Sequence, residues 1–201
     1  MTEALPLFPL GAMLFPGGRI SLQIFEPRYM DMVKRCLRDN SGFGVVALKS
    51  GSEVVTTGTV APTLYSIGVL AHIVDWNGLE YGRIGITAEG SKRFNVLSSE
   101  PQEDQLLIGD VEYLPNIEDA ALPTSYAELA GLLKQLARHP SVEQLGMSFD
   151  YTSANSVAYA LAQLLPIANE EKFKLLDCED TYQILARIRL ITDQIAGLSR
   201  E

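Results

Sequence analysis

Apolar and polar residues alternate through the first half of the chain and then change to helical spacing. Ile20, Leu22 and Ile24 are separated by Ser21 and Gln23, the period of two of a half-buried strand. Residues 64–74 are a long apolar stretch, Asn77-Gly78 supplies the positive-φ pair of a type I′ hairpin, and residues 79–87 run back. Residues 93–98 and 106–113 complete about six strands, whose spacing predicts a small, partly closed β-barrel. One helix interrupts them. Pro27 stands where a first-turn proline is tolerated, and Tyr29, Met32, Val33, Cys36 and Leu37 recur at three- and four-residue intervals until residues 40–42. Asp31, Lys34, Arg35 and Arg38 form its water-facing side.

Residues 115–123 carry acids, an Asn and two prolines without periodicity, as a domain linker does. Helices follow. Ser125 and Glu128 have capping-box spacing ahead of Tyr126, Leu129, Leu132, Leu133 and Leu136, and His139-Pro140 stops that helix. Val157, Leu161, Leu164 and Leu165 mark a second helix, and Phe173 and Leu176 a short third one after Asn169. Asp180 and Gln183 begin the last, on which Ile184, Ile188, Ile191 and Ile195 form one stripe that Gly197 can close. Core packing explains the stripe better than pairing with another chain, and a homo-oligomer through other surfaces stays open. The pattern predicts two domains, residues 1–116 and 122–201.

Several fragments carry a resemblance. The chain opens with Leu5-Pro6-Leu7-Phe8-Pro9-Leu10, Leu14-Phe15-Pro16-Gly17-Gly18 and Leu22-Gln23-Ile24-Phe25-Glu26-Pro27-Arg28-Tyr29. Phe43-Gly44-Val45-Val46, Gly58-Thr59-Val60-Ala61, Asp75-Trp76-Asn77-Gly78, Gly90-Ser91-Lys92-Arg93-Phe94, Leu165-Pro166 and Glu171-Lys172-Phe173-Lys174-Leu175-Leu176 follow. In this order they resemble the amino-terminal, substrate-binding domain of Lon proteases over nearly the whole chain. The resemblance implies an α+β fold: an N-terminal PUA-like β-barrel with one inserted helix, then a C-terminal helical bundle. It also implies a stand-alone member without the ATPase and protease domains, whose partners are unfolded or degron-bearing polypeptides and a protease.

Composition narrows the alternatives. Of 201 residues, 47% are hydrophobic and 20% charged, ordinary for a globular chain able to bury a core. No apolar run approaches the roughly 18–20 residues of a membrane span, and Glu3, Pro6 and Pro9 spoil a secretion signal, so the expected location is cytoplasmic. The net charge of -9 weighs against nucleic acid, although PUA-like relatives bind RNA. A nucleic-acid reading would need Arg19, Arg28, Arg83, Lys92 and Arg93 on one face.

Catalytic motifs are missing. No glycine is followed by lysine, so there is no Gly-x-x-x-x-Gly-Lys-Ser/Thr phosphate loop. Ser91-Lys92 is read as a turn, because strand neighbours point to opposite faces and cannot pair as nucleophile and base. Cys36 and Cys178 lack metal spacing, and His72 and His139 are read as structural. No catalytic residue, metal or cofactor is expected. An enzyme or small-ligand binder would require a deep pocket with perturbed titratable groups.

Two places are candidates for binding. Phe25, Glu26, Arg28 and Tyr29 either receive an apolar peptide or, the favoured alternative, hold the helix start to the barrel with Phe25 and Tyr29 packed inside. Trp76, the single tryptophan, either binds a partner together with Leu79 and Tyr81 or folds back onto the barrel.

Overall fold

The computed structural model describes residues 2–51 and 63–198; the Gly58-Thr59-Val60-Ala61 fragment lies outside them. The fold combines a mixed sheet with helices, and the chain divides into two compact units, Met1–Asn116 and Ile117–Glu201.

The first unit holds β1 (Thr2–Leu10), β2 (Arg19–Ile24), α1 (Pro27–Asp39), β3 (Phe43–Ser50), β4 (Thr63–Gly78), β5 (Ile84–Pro101) and β6 (Leu107–Tyr113). The strand order is β2-β5-β4-β3-β1-β6, and β6 also pairs with β5, so the ladders return to the strand they left. Every pairing is antiparallel except β1 with β3, where Leu7 stands beside Gly44. A parallel pair needs a crossover, supplied here by β2 and α1.

Leu5, Leu7, Val46, Phe94 and Val111 form a buried cluster. The Phe94 ring occupies space that two glycines vacate: a Cβ on Gly68 would lie 2.5 Å from its Cζ, and one on Gly44 2.7 Å. Pro27 opens α1 and Asn40, at φ 48°, closes it. Tyr29, Met32, Val33 and Cys36 face inward, while Asp31, Lys34, Arg35 and Arg38 are exposed.

Two local expectations are corrected. Asn77 and Gly78 are not a turn but the end of β4, paired with Gly85 and Ile84. The reversal lies at a 3-10 turn, Glu80–Gly82, with Tyr81 at φ 59° and Gly82 at φ 72°. Gly85 explains the extension, since a Cβ there would meet the Asn77 side-chain oxygen at 2.5 Å. Ser91-Lys92 is likewise no turn. Val69 pairs with Arg93 and Ala71 with Gly90, so two residues of β5 oppose Leu70 in a β-bulge. Ser91 and Lys92 are both exposed there, and the Ser91 hydroxyl donates to the Leu70 carbonyl at 3.0 Å.

The second unit holds α2 (Ala127–Leu136), α3 (Pro140–Glu143), α4 (Ala154–Leu164), α5 (Asn169–Leu176) and α6 (Thr181–Leu198). The Ser125–Glu128 capping box does not form. Residues Thr124–Tyr126 make a 3-10 turn and the Glu128 carboxylate meets Arg189 at 3.0 Å. Residues 117–122 are tied to the start of α4: Leu122 N–H donates to Thr152 O at 2.7 Å and Ala154 N–H to Ala120 O at 2.8 Å. The Asp119 carboxylate accepts from Ser153 Oγ at 2.9 Å and Asn155 N–H at 3.1 Å. Asp180 caps α6 by accepting from Tyr182 N–H at 2.9 Å. Of the isoleucine stripe, Ile184 and Ile188 are buried, Ile191 is half-buried and Ile195 is exposed. Among the described residues no helix is long and apolar enough to cross a membrane.

Candidate functional site

β4 and β5 outrun their neighbours. The described pairing of β3 with β4 runs from Ser50 opposite Thr63 to Phe43 opposite Ala71, and β6 meets β5 only from Phe94 onward. Residues 72–78 of β4 and 84–89 of β5, with β2, therefore make a three-stranded ribbon with β5 in the middle. Residues directly opposite across a ladder share a face. One face carries the rows Ile20–Ala88–Ile73, Leu22–Ile86–Trp76 and Ile24–Ile84–Gly78. The other carries Arg19–Glu89–His72, Ser21–Thr87–Asp75 and Gln23–Gly85–Asn77. The first is apolar, and the second is polar, with Arg19 bound to Glu89 at 2.7 Å.

Burial falls off across the middle row of the apolar face, while Ile24 in the next row is buried. Ile86 is buried, Leu22 half-buried, and Trp76 59% exposed. Two ladder spacings put Leu22 and Trp76 about 10 Å apart. Beyond the ribbon's end Tyr81 is 90% exposed, and Leu79 is half-buried with its N–H donating to Arg83 O at 2.8 Å. Trp76 thus stands within a strand, and Tyr81 holds a backbone conformation uncommon for a bulky residue.

The other candidate place divides. Arg28 is buried, donates from Nε and Nη2 to the Glu26 carboxylate at 3.0 and 2.7 Å, and from Nη1 to Gln105 O at 2.7 Å. Its guanidinium lies 4.5 Å from the Tyr29 ring centroid, and buried Tyr29 stacks on Phe8 at 4.1 Å. Phe25, in contrast, is exposed. A cavity of about 220 Å³ lies beside it, lined among others by Phe8, Leu10, Leu22, Glu26 and Tyr29. Leu22 belongs to both the cavity and the ribbon face, a link that strand pairing reveals and local motifs do not.

The five basic residues of the nucleic-acid reading do not gather as free cations. Arg19 and Arg28 are bound to Glu89 and Glu26, and Arg93 is buried and donates to Pro115 O at 3.3 Å. Three groups with shifted titration, Cys36, Asp39 and Tyr113, line one depression of about 550 Å³. Burial raises the Cys36 thiol and the Tyr113 phenol above their ordinary values, the Arg38 guanidinium holds the Asp39 carboxyl below its own, and burial lowers Lys172, whose ammonium donates to Gln163 O at 2.7 Å and does not line that depression. Among the described residues no group of three or more His, Cys, Asp or Glu could hold a metal ion.

Comparison with known proteins places this geometry. Residues 4–194 match the family model of the ATP-dependent protease La (LON) substrate-binding domain. A Lon protease of Parabacteroides distasonis is 26% identical over 204 aligned positions, which cover 96% of this chain and 24% of that protein. The chain thus spans about a quarter of the length of that relative. The crystal structure of a Lon N-terminal domain protein from Xanthomonas campestris superposes with a TM-score of 0.72 and 28% identity, covering 94% of this chain and 98% of the other. The N-terminal domain of Mycobacterium avium complex Lon protease shares the fold at TM-score 0.60 and 14% identity, covering 92% and 96%.

Proposed function

The chain belongs to the substrate-binding domain family of the ATP-dependent protease La (Lon), and from this premise we propose that it is a non-catalytic module recognising unfolded or degron-bearing polypeptides. In this reading it acts in the cytoplasm as an adaptor or regulator in proteolysis, with a protease as its partner. Residues 1–116 are then a PUA-like β-barrel, supported by the ladders that return to β5. Residues 122–201 are a helical bundle, supported by the packing of α4 on α2 and α6.

The observation that carries the reading is the apolar ribbon face with exposed Trp76 at its edge. Tryptophan is enriched among the residues that dominate binding energy, and an extended peptide can pack alternate side chains against such a face. Phe25, Leu79 and Tyr81 extend the surface, and Glu26, Arg28 and Tyr29 hold its base by their mutual contacts. Affinity is modest, because the peptide loses conformational freedom on binding.

Titration with arrays of unfolded and terminal peptides, followed by Trp76 fluorescence and repeated with Trp76→Ala, tests this. Saturable binding to apolar peptides that weakens in the variant is expected. No binding up to about 1 mM, where an interaction would be worth roughly 4 kcal/mol, overturns it.

A further inference from the structure

A second depression, of about 550 Å³, opens between β1, α1 and the bulged part of β4 and β5. Three cationic or ionisable basic side chains line it, Arg35 from α1, His72 from β4 and Lys92 from β5, and all three residues are exposed. The fold presents two of them by specific means. The bulge that places Ser91 and Lys92 opposite Leu70 breaks the strand alternation, leaving Lys92 exposed next to buried Arg93. Gly42 leaves room for His72, whose Cε1 a Cβ at that position would meet at 3.2 Å.

The carboxylates in and beside the depression already have partners. Asp39 is held by Arg38 at 2.8 and 3.0 Å, Glu3 accepts a hydrogen bond from Tyr113, and Glu89, opposite His72, is held by Arg19 at 2.7 Å. Tyr113 is neutral, so Glu3 keeps its charge; with Asp39 offset by Arg38, the cations Arg35 and Lys92 outnumber that one carboxylate, in a chain of net charge -9. Pro6, Met32 and Leu70 add apolar wall beside the cations. Charge alone would suit inorganic phosphate, whereas cations beside apolar wall suit an acid with a hydrocarbon part.

We propose that this depression binds the carboxylate of an amphipathic organic acid, which in the polypeptide reading above is the C-terminal carboxylate of a bound chain. That reading supplies only the source of the carboxylate; the site's chemistry stands on Arg35, His72, Lys92 and the apolar wall. Arg35 and Lys92 donate to the carboxylate oxygens, His72 lies at the side, and the terminal side chain rests against Pro6 and Leu70.

Calorimetric titration of the intact protein with acetyl-alanyl-leucine, its C-terminal amide, N-acetylleucine and inorganic phosphate tests the assignment. The peptide acid should bind and its amide should bind at least about tenfold more weakly, since a charge-assisted contact is lost. Arg35→Gln and Lys92→Gln should each weaken the acid by about tenfold, while Lys34→Gln, an equal charge change elsewhere on α1, should leave it unchanged. N-acetylleucine binding as tightly as the peptide would identify a free small acid as the ligand; weaker binding would identify a chain end. Equal binding of acid and amide, insensitivity to both variants, or preference for phosphate overturns the proposal. If the acid fails while longer amidated peptides still bind in a Trp76-dependent way, this site falls and the polypeptide reading stands.

Discussion

Arg28 donates a 2.7 Å hydrogen bond from its guanidinium to the backbone carbonyl of Gln105. Gln105 itself sits at φ 67°, in the turn before β6, while Arg28 lies in the first turn of α1. One buried cation thus fastens the helix start to a turn at the far end of the unit's sequence. It uses its remaining donors on Glu26.

Removing that cation should be expensive. Arg28→Ala strands the Gln105 carbonyl and leaves Glu26 without its partner, a loss of about 2–4 kcal/mol. Arg28→Lys should recover only part, because a single ammonium cannot reproduce the fork of donors. Urea unfolding midpoints of the three proteins check the order.

Trp76 should behave in the opposite way. Because it is 59% exposed, Trp76→Ala should change unfolding free energy by no more than about 0.5 kcal/mol. Peptide affinity should nevertheless fall by about tenfold or more. A variant that loses stability and binding together would show that the indole supports the fold rather than a ligand.

Two glycines should give opposite signs on mutation to alanine. Gly68→Ala would push a methyl to 2.7 Å or less from Phe94 and 2.8 Å from the Val45 carbonyl, an overpacking cost of about 1–3 kcal/mol. Gly131 lies inside α2 with open space where a Cβ would stand. Gly131→Ala should stabilise by about 0.5–1 kcal/mol through helix propensity and a less free unfolded chain. Thermal melts of the two variants read the signs directly.

Glu171 provides a pH test. Hydrogen bonds from Lys174 at 2.6 Å and then Arg187 at 3.0 Å hold its carboxyl below the ordinary 4.5. A folded-state value below the unfolded one means stability that is present above pH 4.5 and lost as pH falls through the folded value. The groups are partly exposed, so water screens the effect to under about 1 kcal/mol. The stability difference between the protein and Glu171→Gln should therefore be measurable at pH 6 and shrink on acidification toward pH 3; a constant difference would contradict the ion-pair account.

The elements most legible in the sequence were those set by local chemistry. Pro27 and Asn40 bound α1 because a fixed φ suits a first helical turn and Asn tolerates the left-handed conformation at the end. Asn77-Gly78 misled for the same reason, since its turn chemistry is local and its actual role is not: Asn77 lies over the bare face of Gly85. The reversal falls instead on Tyr81-Gly82, where only Gly82 advertises positive φ. The ribbon face was partly visible, as Trp76, Leu79 and Tyr81 could be singled out. Leu22 joins Trp76 only through the ladders of β5, however, and register across three strands has no local signal. Asp119 likewise looked like a linker acid, whereas it receives hydrogen bonds from residues more than thirty positions later.

The closed ladder also sets a timetable for synthesis. Thr2 in β1 pairs with Glu112 in β6, so the first strand made must wait for one of the last strands of its unit. At roughly 5–20 residues per second on the ribosome, that delay is on the order of 5–20 s. Throughout it, an apolar strand has an edge without its final neighbour. Pro6 and Pro9 lie in that strand and offer no N–H groups, which makes it a poor template for pairing with another nascent chain.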